Sequence, residues 1–243
     1  MNKRTKPDIS VIIPAAGQGK RMGHQSAGEA GRPVSKPFIR IKGIPILLHT
    51  LNKFKKIPGI REIIIALASA ELGRAVRLFK GYKISNKLKL VRGGRRRQDS
   101  VFNALKVVAS ESRYVIIHDA ARPLVKKADI LKLIKATRKS GAGILAVPIT
   151  DTIKRVNPIT HRVKHTLNPR KEFWSVQTPQ GFKKDILLKA HQRARSRGLV
   201  ATDDASLVEN LGYPIRIIPG SYENIKITTS TDKVLCQKLF TFN

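Results

Sequence analysis

Apolar, β-branched segments alternate with amphipathic ones along this chain, which predicts an α/β fold: a mostly parallel twisted sheet with helices on both faces. The apolar segments are near-continuous, as strands buried on both faces require. A glycine-rich turn also follows the first of them, where such sheets place their ligands. With 243 residues and 41% hydrophobic content the chain can bury one substantial core, so one domain (1–243) is expected.

The elements follow in order. Residues 9–14 form the first expected strand, and 60–67, 87–92, 114–118 and 143–149 continue the series. Helices are expected at 45–56, 71–80, 98–109 and 127–140, the first with Pro45 at its start and the last ended by Gly141. After residue 149 the rhythm breaks. Short strand-like pieces at 152–156, 162–167 and 173–176 are separated by Asn157-Pro158 and Asn168-Pro169 turn signals. Residues 150–177 therefore read as a β-arm projecting from the sheet. Such a hairpin is marginal alone, so it should rest on something, most simply a second copy of the chain. Helices at 183–197 and 203–211, strands at 215–218 and 225–228, and a helix from 231 complete the reading.

Composition narrows the function classes. The single cysteine, Cys236, rules out an internal disulfide and suits a reducing, cytoplasmic setting. No apolar run approaches membrane-spanning length, so no membrane partner is expected. Lys+Arg number 48 against 16 Asp+Glu, a net charge of +32 that would attract polyanions. The cations are spread over the whole length, however, and aromatics are only 5%, leaving few platforms for stacked bases. A cationic surface over an ordinary fold accounts for this better than a dedicated nucleic-acid partner.

The run Val11-Ile12-Ile13-Pro14-Ala15-Ala16-Gly17-Gln18-Gly19-Lys20-Arg21-Met22-Gly23 carries the most information. Small residues after a strand let a nucleoside approach the backbone, and free N–H groups beside Lys and Arg receive phosphates. The spacing matches neither the dinucleotide fingerprint nor a Walker A loop. By itself it also fits a plain tight turn. A lone loop lysine is usually just solvated, but Lys36 follows the glycine-rich, cationic turn and precedes the stiffening Pro37, a setting that favours folding back over a phosphate. In Gly93-Gly94-Arg95-Arg96-Arg97-Gln98-Asp99-Ser100, glycines lead into a helix N-terminus that can hold an anion or read a base edge. Asp99 and Ser100 equally suit plain first-turn positions, and the arginines mere surface charge. In His118-Asp119-Ala120-Ala121-Arg122-Pro123 an acid ends a strand. Facing a phosphate-rich cleft, it needs a metal or a cation, and an Asp119–Arg122 pair closing the loop is the competing reading. His118 reads as structural, since no triad or metal-ligand spacing accompanies it. Asp151-Thr152-Ile153-Lys154-Arg155, Thr178-Pro179-Gln180-Gly181-Phe182 and Asn224-Ile225-Lys226-Ile227-Thr228 would each pass alone as ordinary sequence.

Together, in this order, these seven motifs resemble the 2-C-methyl-D-erythritol 4-phosphate cytidylyltransferase family over essentially the whole chain. The resemblance implies a Rossmann-like nucleotidyltransferase that transfers CMP from CTP to methylerythritol phosphate, with Mg²⁺, in non-mevalonate isoprenoid synthesis. It implies that Ala15, Ala16, Gly94 and Ser100 recognise the nucleoside, while Gly17, Gly19, Arg21 and Lys36 hold the triphosphate. Arg21, Lys36 and Lys226 would be the catalytic cations, the first two on the α-phosphate. Asp119 would lie beside the Mg²⁺–phosphate assembly and the sugar hydroxyls. Arg122, Thr152, Arg170, Thr178 and Lys226 would hold the acceptor, with Thr152 and Arg170 reaching from the arm into a partner's site in a homodimer. The chemistry agrees: the nucleophile is an already ionised phosphate oxygen, so cations matter more than a general base.

Three departures accompany the resemblance. The loop from Met22 to Lys36 is long, Pro37 stands where glutamine is usual, and Arg95 and Arg96 replace acidic or small residues. A cytidylyltransferase for another polyol phosphate, such as ribitol 5-phosphate, is the rival within the class. Ala16 and Ala121 favour methylerythritol phosphate. A basic nucleic-acid-binding protein on the same scaffold is the rival from outside it.

Overall fold

The computed structural model describes residues 6–17, 35–80 and 88–240. Its main sheet has seven strands: β1 (Ile9–Pro14), β4 (Ile60–Leu67), β5 (Leu88–Arg92), β6 (Tyr114–Ile117), β7 (Ala142–Pro148), β10 (Trp174–Lys183) and β11 (Arg216–Pro219). Their order is β11-β7-β10-β6-β1-β4-β5. β1 pairs in parallel with both β4 and β6, and β7 in parallel with β11. β10 runs antiparallel between β6 and β7. The chain thus leaves β1 toward β4 on one side and later returns to β6 on the other. A crevice opens at such a reversal, beyond the carboxyl ends of the strands.

The central strand β1 is apolar on both faces because helices cover both. Val11 and Ile13 point into a core shared with α1 (Ile46–Lys55), α2 (Leu72–Lys80) and α4 (Lys127–Ser140). Ile12 points the other way, into a core shared with α3 (Arg97–Leu105), α5 (Lys184–Ser196) and α6 (Asp204–Glu209). The expected helix at 98–109 stops at Leu105, just before the β-branched pair Val107-Val108. Gly141 ends α4 in the left-handed conformation (φ 84°), as its position predicts. A third, smaller cluster joins Ile39 and Ile41 to Ala121, Leu124, Ile227 and Cys236. It docks the short hairpin β2 (Arg40–Ile41)–β3 (Ile44–Pro45) and α7 (Ser230–Leu239) beside the β6 exit.

Three expectations need correction. The piece at 173–176 does not belong to the arm: it opens β10 and pairs with the end of β7, Trp174 opposite Pro148. What projects is the two-stranded β8 (Lys154–Val156)–β9 (Val163–Thr166). No strand is expected between the end of the arm at 177 and the helix at 183, but the motif at 178–182 lies inside β10. The antiparallel course brings it to the rim at the exit of β6, since Gln180 is level with Ile117, the last residue of β6. Residues 225–228 are not a strand but irregular chain leading into α7.

Between Val176 and Gln180, β10 advances four residues while β7 moves two, from Ala146 to Ile144. Such a bulge bends the strand and re-aims a side chain, here Thr178. The glycine of the motif has a packing cause. A Cβ on Gly181 would sit 2.4 Å from Oγ1 of Thr137 on α4. The β-branched threonine has little rotamer freedom with which to retreat. Gly181→Ala should cost about 1–3 kcal/mol of stability, read as a lower urea midpoint at unchanged slope. An unchanged midpoint would mean that α4 can move off the sheet freely.

Candidate active site

The two strand ends at the reversal carry two different surfaces. Beyond β1 the residues are small. Ala15 N–H donates to the Ala66 carbonyl (2.7 Å), and Gly93 N–H to the Leu67 carbonyl (2.7 Å), so the exits of β1 and β5 meet across β4. They meet closely: a Cβ on Gly93 would lie 2.3 Å from the methyl of Ala16. A Cβ on Gly94 would lie 2.3 Å from that of Asp99. A methyl added to Gly17 meets nothing within 4 Å among the described residues. Ser100 is buried, receives the Gly94 N–H at 3.0 Å and donates to the Arg96 carbonyl at 3.1 Å. Its hydroxyl shapes the glycine turn and keeps one lone pair for other use. Asp99 accepts from the Arg96 backbone N–H (3.1 Å) and pairs with its guanidinium, closing the first turn of α3.

Beyond β6 the surface is charged. Asp119 Oδ1 accepts from Arg97 Nε at 3.0 Å, and Oδ2 from Lys226 Nζ at 2.8 Å. Arg122 Nε stands 3.9 Å from Oδ2, outside hydrogen-bond range. The loop-closing Asp119–Arg122 pair is therefore the weakest of the three contacts. Burial pushes the Asp119 carboxyl upward, but Arg97 and Lys226 together hold it far below the usual carboxylate range. Arg97 also pairs with Asp204, whose Oδ1 accepts from His191 Nε2 at 3.0 Å. Arg97, Asp119 and Lys226, with Arg122, Thr178 and Gln180, line a cavity of about 390 Å³, while Asp204 and His191 are buried behind it.

The loop carrying Asp119 and Arg122 is pinned from inside. Asp119 N–H donates to Thr178 Oγ1 at 3.0 Å, and Thr178 Oγ1 lies 3.2 Å from His118 Nδ1. His118 Nε2 lies 2.9 Å from the Arg122 carbonyl. That carbonyl can only accept, so Nε2 carries the proton and the Thr178 hydroxyl donates to Nδ1. Arg122 Nη1 donates to the Asn224 carbonyl, and the Asn224 amide donates to the Thr178 carbonyl at 2.9 Å. Ile227 N–H donates to the Ala121 carbonyl at 2.9 Å, which sets Lys226 beside Asp119. Gln180 reaches Asp203 Oδ2 at 2.7 Å, and Asp203 caps α6 through the Ser206 N–H.

The structure thus brings Asp119, Arg122, Thr178 and Lys226 together, and groups Ala15, Ala16, Gly17, Gly94 and Ser100 at the neighbouring strand ends. Lys36 opens a single 3₁₀ turn, Lys36–Phe38, whose buried Phe38 sits in the main core. Thr152 and Arg170 lie exposed on the arm, where Arg170 donates to the Thr150 carbonyl at 2.9 Å. They do not line the cavity. Gly19 and Arg21 lie outside the described residues. Sequence reasoning missed Arg97, Asp204 and His191. A usable signal existed for Asp204 alone: adjacent Asp203-Asp204 are conspicuous in a chain with three cations for every acid.

A family model described as 2-C-methyl-D-erythritol 4-phosphate cytidylyltransferase matches residues 9–241. The chain belongs to this family. It is 42% identical to the enzyme of that name from Desulforamulus reducens, over 95% of this chain and 94% of the relative. With the one from Halalkalibacterium halodurans it shares 43% identity, over 96% of each. Among solved structures, 4-diphosphocytidyl-2C-methyl-D-erythritol synthase from Anaerococcus prevotii aligns at TM-score 0.82 and 28% identity, covering 96% of both chains. The cytidylyltransferase from Francisella tularensis aligns at 0.77 and 33%, over 95% of this chain and 99% of that one.

Among the described residues, no three or more His, Cys, Asp or Glu side chains gather where a metal ion could sit. Asp119 has both oxygens taken by cations, so these residues do not form a resident Mg²⁺ site. His118 has both ring nitrogens engaged within the loop, Nε2 by the Arg122 carbonyl and Nδ1 by the Thr178 hydroxyl. Burial holds its imidazole at a pKa of about 4, against about 6.5 in an unfolded chain. The unfolded chain therefore takes up the proton first. The stabilisation from the neutral ring is complete above about pH 6.5 and is lost as pH falls toward 4, about 3 kcal/mol in all. Thermal midpoints measured from pH 7 to pH 4 should fall more steeply for the native chain than for His118→Gln. Parallel curves would show that the ring charges in the folded state without penalty.

Proposed function

We propose that the protein catalyses CMP transfer from CTP to 2-C-methyl-D-erythritol 4-phosphate, releasing pyrophosphate, in non-mevalonate isoprenoid synthesis. The observation that carries this reading is the placement of Lys226 and Arg122 on one rim and the small-residue floor of Ala15, Ala16 and Gly94 on the next. Two polyanions meet across that rim. A phosphate oxygen of the acceptor attacks the α-phosphorus of CTP, and the bond from that phosphorus to the bridging oxygen of pyrophosphate breaks. The acceptor phosphate is already ionised at neutral pH, so no side chain need remove a proton. Lys36 and Arg21 neutralise charge on the reacting phosphate, while Lys226 and Arg122 hold the acceptor phosphate in line. Mg²⁺ enters as part of the substrate, bound to the triphosphate, and Asp119 acts as the carboxylate that aligns Lys226.

The assay that tests this is pyrophosphate release with MgCTP and either methylerythritol phosphate or ribitol 5-phosphate. Turnover only with the second would overturn the choice of acceptor, and tight RNA binding without turnover would overturn the reaction class. Lys36→Ala and Arg21→Ala should each lower kcat at least about a hundredfold, the scale of removing a preorganised charge. In at least one of them CTP binding should weaken far less. Equal, modest losses in both would reduce their role to general attraction.

The arm supports a homodimer with shared sites. Its hairpin has little core, and Val156, Ile159 and Val163 leave it exposed to solvent, Ile159 at 87%. Thr152 and Arg170 sit at its base, where they are placed to serve a partner's acceptor. Mixing Lys36→Ala with Arg170→Ala protein under subunit exchange then gives heterodimers with one doubly altered site and one intact site. About a quarter of wild-type sites should return, by counting for a two-fold dimer. No recovery despite proven exchange would place Arg170 in its own subunit's site.

A further inference from the structure

Five ionisable side chains from separate segments form one line through the protein: His191, Asp204, Arg97, Asp119 and Lys226. They come from α5, α6, the start of α3, the exit of β6 and the chain before α7. The line runs from a closed end to an open one, with the Arg97 side chain between them at 26% exposure. The side chains of His191 and Asp204 are each 1% exposed, whereas that of Lys226 is 38% exposed. We propose that Arg97 is a positioning residue for the acceptor-phosphate cations: clamped to Asp204, it fixes Oδ1 of Asp119 so that Oδ2 holds Lys226 toward the acceptor. The proposal rests on the cytidylyltransferase reading and adds a residue to it.

The geometry supports this in three steps. A guanidinium is a planar, rigid donor fork, so carboxylates on Nε and Nη1 are fixed relative to each other. Arg97 uses those two atoms, Nε for Asp119 and Nη1 for Asp204. Asp204 cannot swing away, because its second oxygen is held by buried His191. Asp119 in turn cannot rotate, its main chain being tied to Thr178 and its side chain to Arg97. Lys226 is the opposite kind of group, a point charge on a flexible stem. It needs a fixed counter-charge to stand in one place, and Oδ2 of Asp119 is that point. A lysine at position 97 would keep the charge and lose the fork.

Arg97→Lys, Asp204→Asn, Asp119→Asn and the Arg97→Lys/Asp119→Asn double variant test the bridge in steady-state assays. Folding of each is checked by thermal and urea midpoints. Arg97→Lys should lower kcat at least about tenfold and raise KM for methylerythritol phosphate, leaving KM for CTP within about threefold. Asp204→Asn, which touches neither substrate, should move the same parameters in the same direction. In the double variant the Arg97→Lys loss should vanish against the Asp119→Asn background, since Arg97 acts through Asp119. A merely structural role would lower the midpoints, spare kcat per folded molecule and combine additively with Asp119→Asn. That pattern, or Arg97→Lys and Asp204→Asn both within threefold of the native chain, overturns the bridge. If Arg97→Lys does not fold, Asp204→Asn alone decides by the same criteria. A native chain with no turnover would overturn the functional reading itself; normal native turnover with indifferent variants overturns the bridge alone.

Discussion

A carboxylate buried at the rim of a sheet must be matched by cations, and here that demand organises the site. Asp119 lies at the exit of β6 with both oxygens occupied, one by Arg97 and one by Lys226. Leaving one buried charge of such a set unmatched is costly. The segments that carry these groups are therefore obliged to come together. α3, α6 and the chain before α7 are far apart in sequence, yet their charged residues close on one point. Folding and assembly of this charged surface are in this sense the same event.

The antiparallel strand supplies the second constraint. Had β10 run parallel to its neighbours, its motif would have emerged at the opposite rim from β6. Running the other way, it carries Thr178 past the end of β6, where the bulge before Gln180 turns it to the Asp119 N–H and the His118 ring. Gln180 then holds the cap of α6, and Gly181 lets α4 approach. Three residues of one short motif thus join the sheet to three separate elements. None of them needs to touch a substrate to matter for its binding.

The sheet was legible because strands buried on both faces carry near-continuous β-branched, apolar runs, such as Ile63-Ile64-Ile65 within β4. The rim was legible where small residues or glycines follow such runs, as at Ala15 and Gly94. β10 was less so. Its Thr-Pro-Gln-Gly segment reads as a turn by composition, and only pairing with β6 and β7 makes it strand. Arg97 was illegible for another reason. It stands third in a run of three arginines, and exposed Arg95 and Arg96 are the ordinary surface charge that the composition suggests. What distinguishes Arg97 is Asp204, more than a hundred residues away in sequence, and no local pattern reports that. His191 likewise looks like any helical histidine until Asp204 is placed beside it.

The contact between Ala16 and Gly93 also bears on how this site can change over generations. The methyl of one occupies the space that a side chain on the other would need. The two positions therefore share a single volume, contributed by the exits of β1 and β5. A side chain at position 93 is closed off while Ala16 stays as it is. Selection on this part of the floor acts on the sum of the two. A different width must be reached by paired replacement, or by a path that passes first through a glycine at position 16.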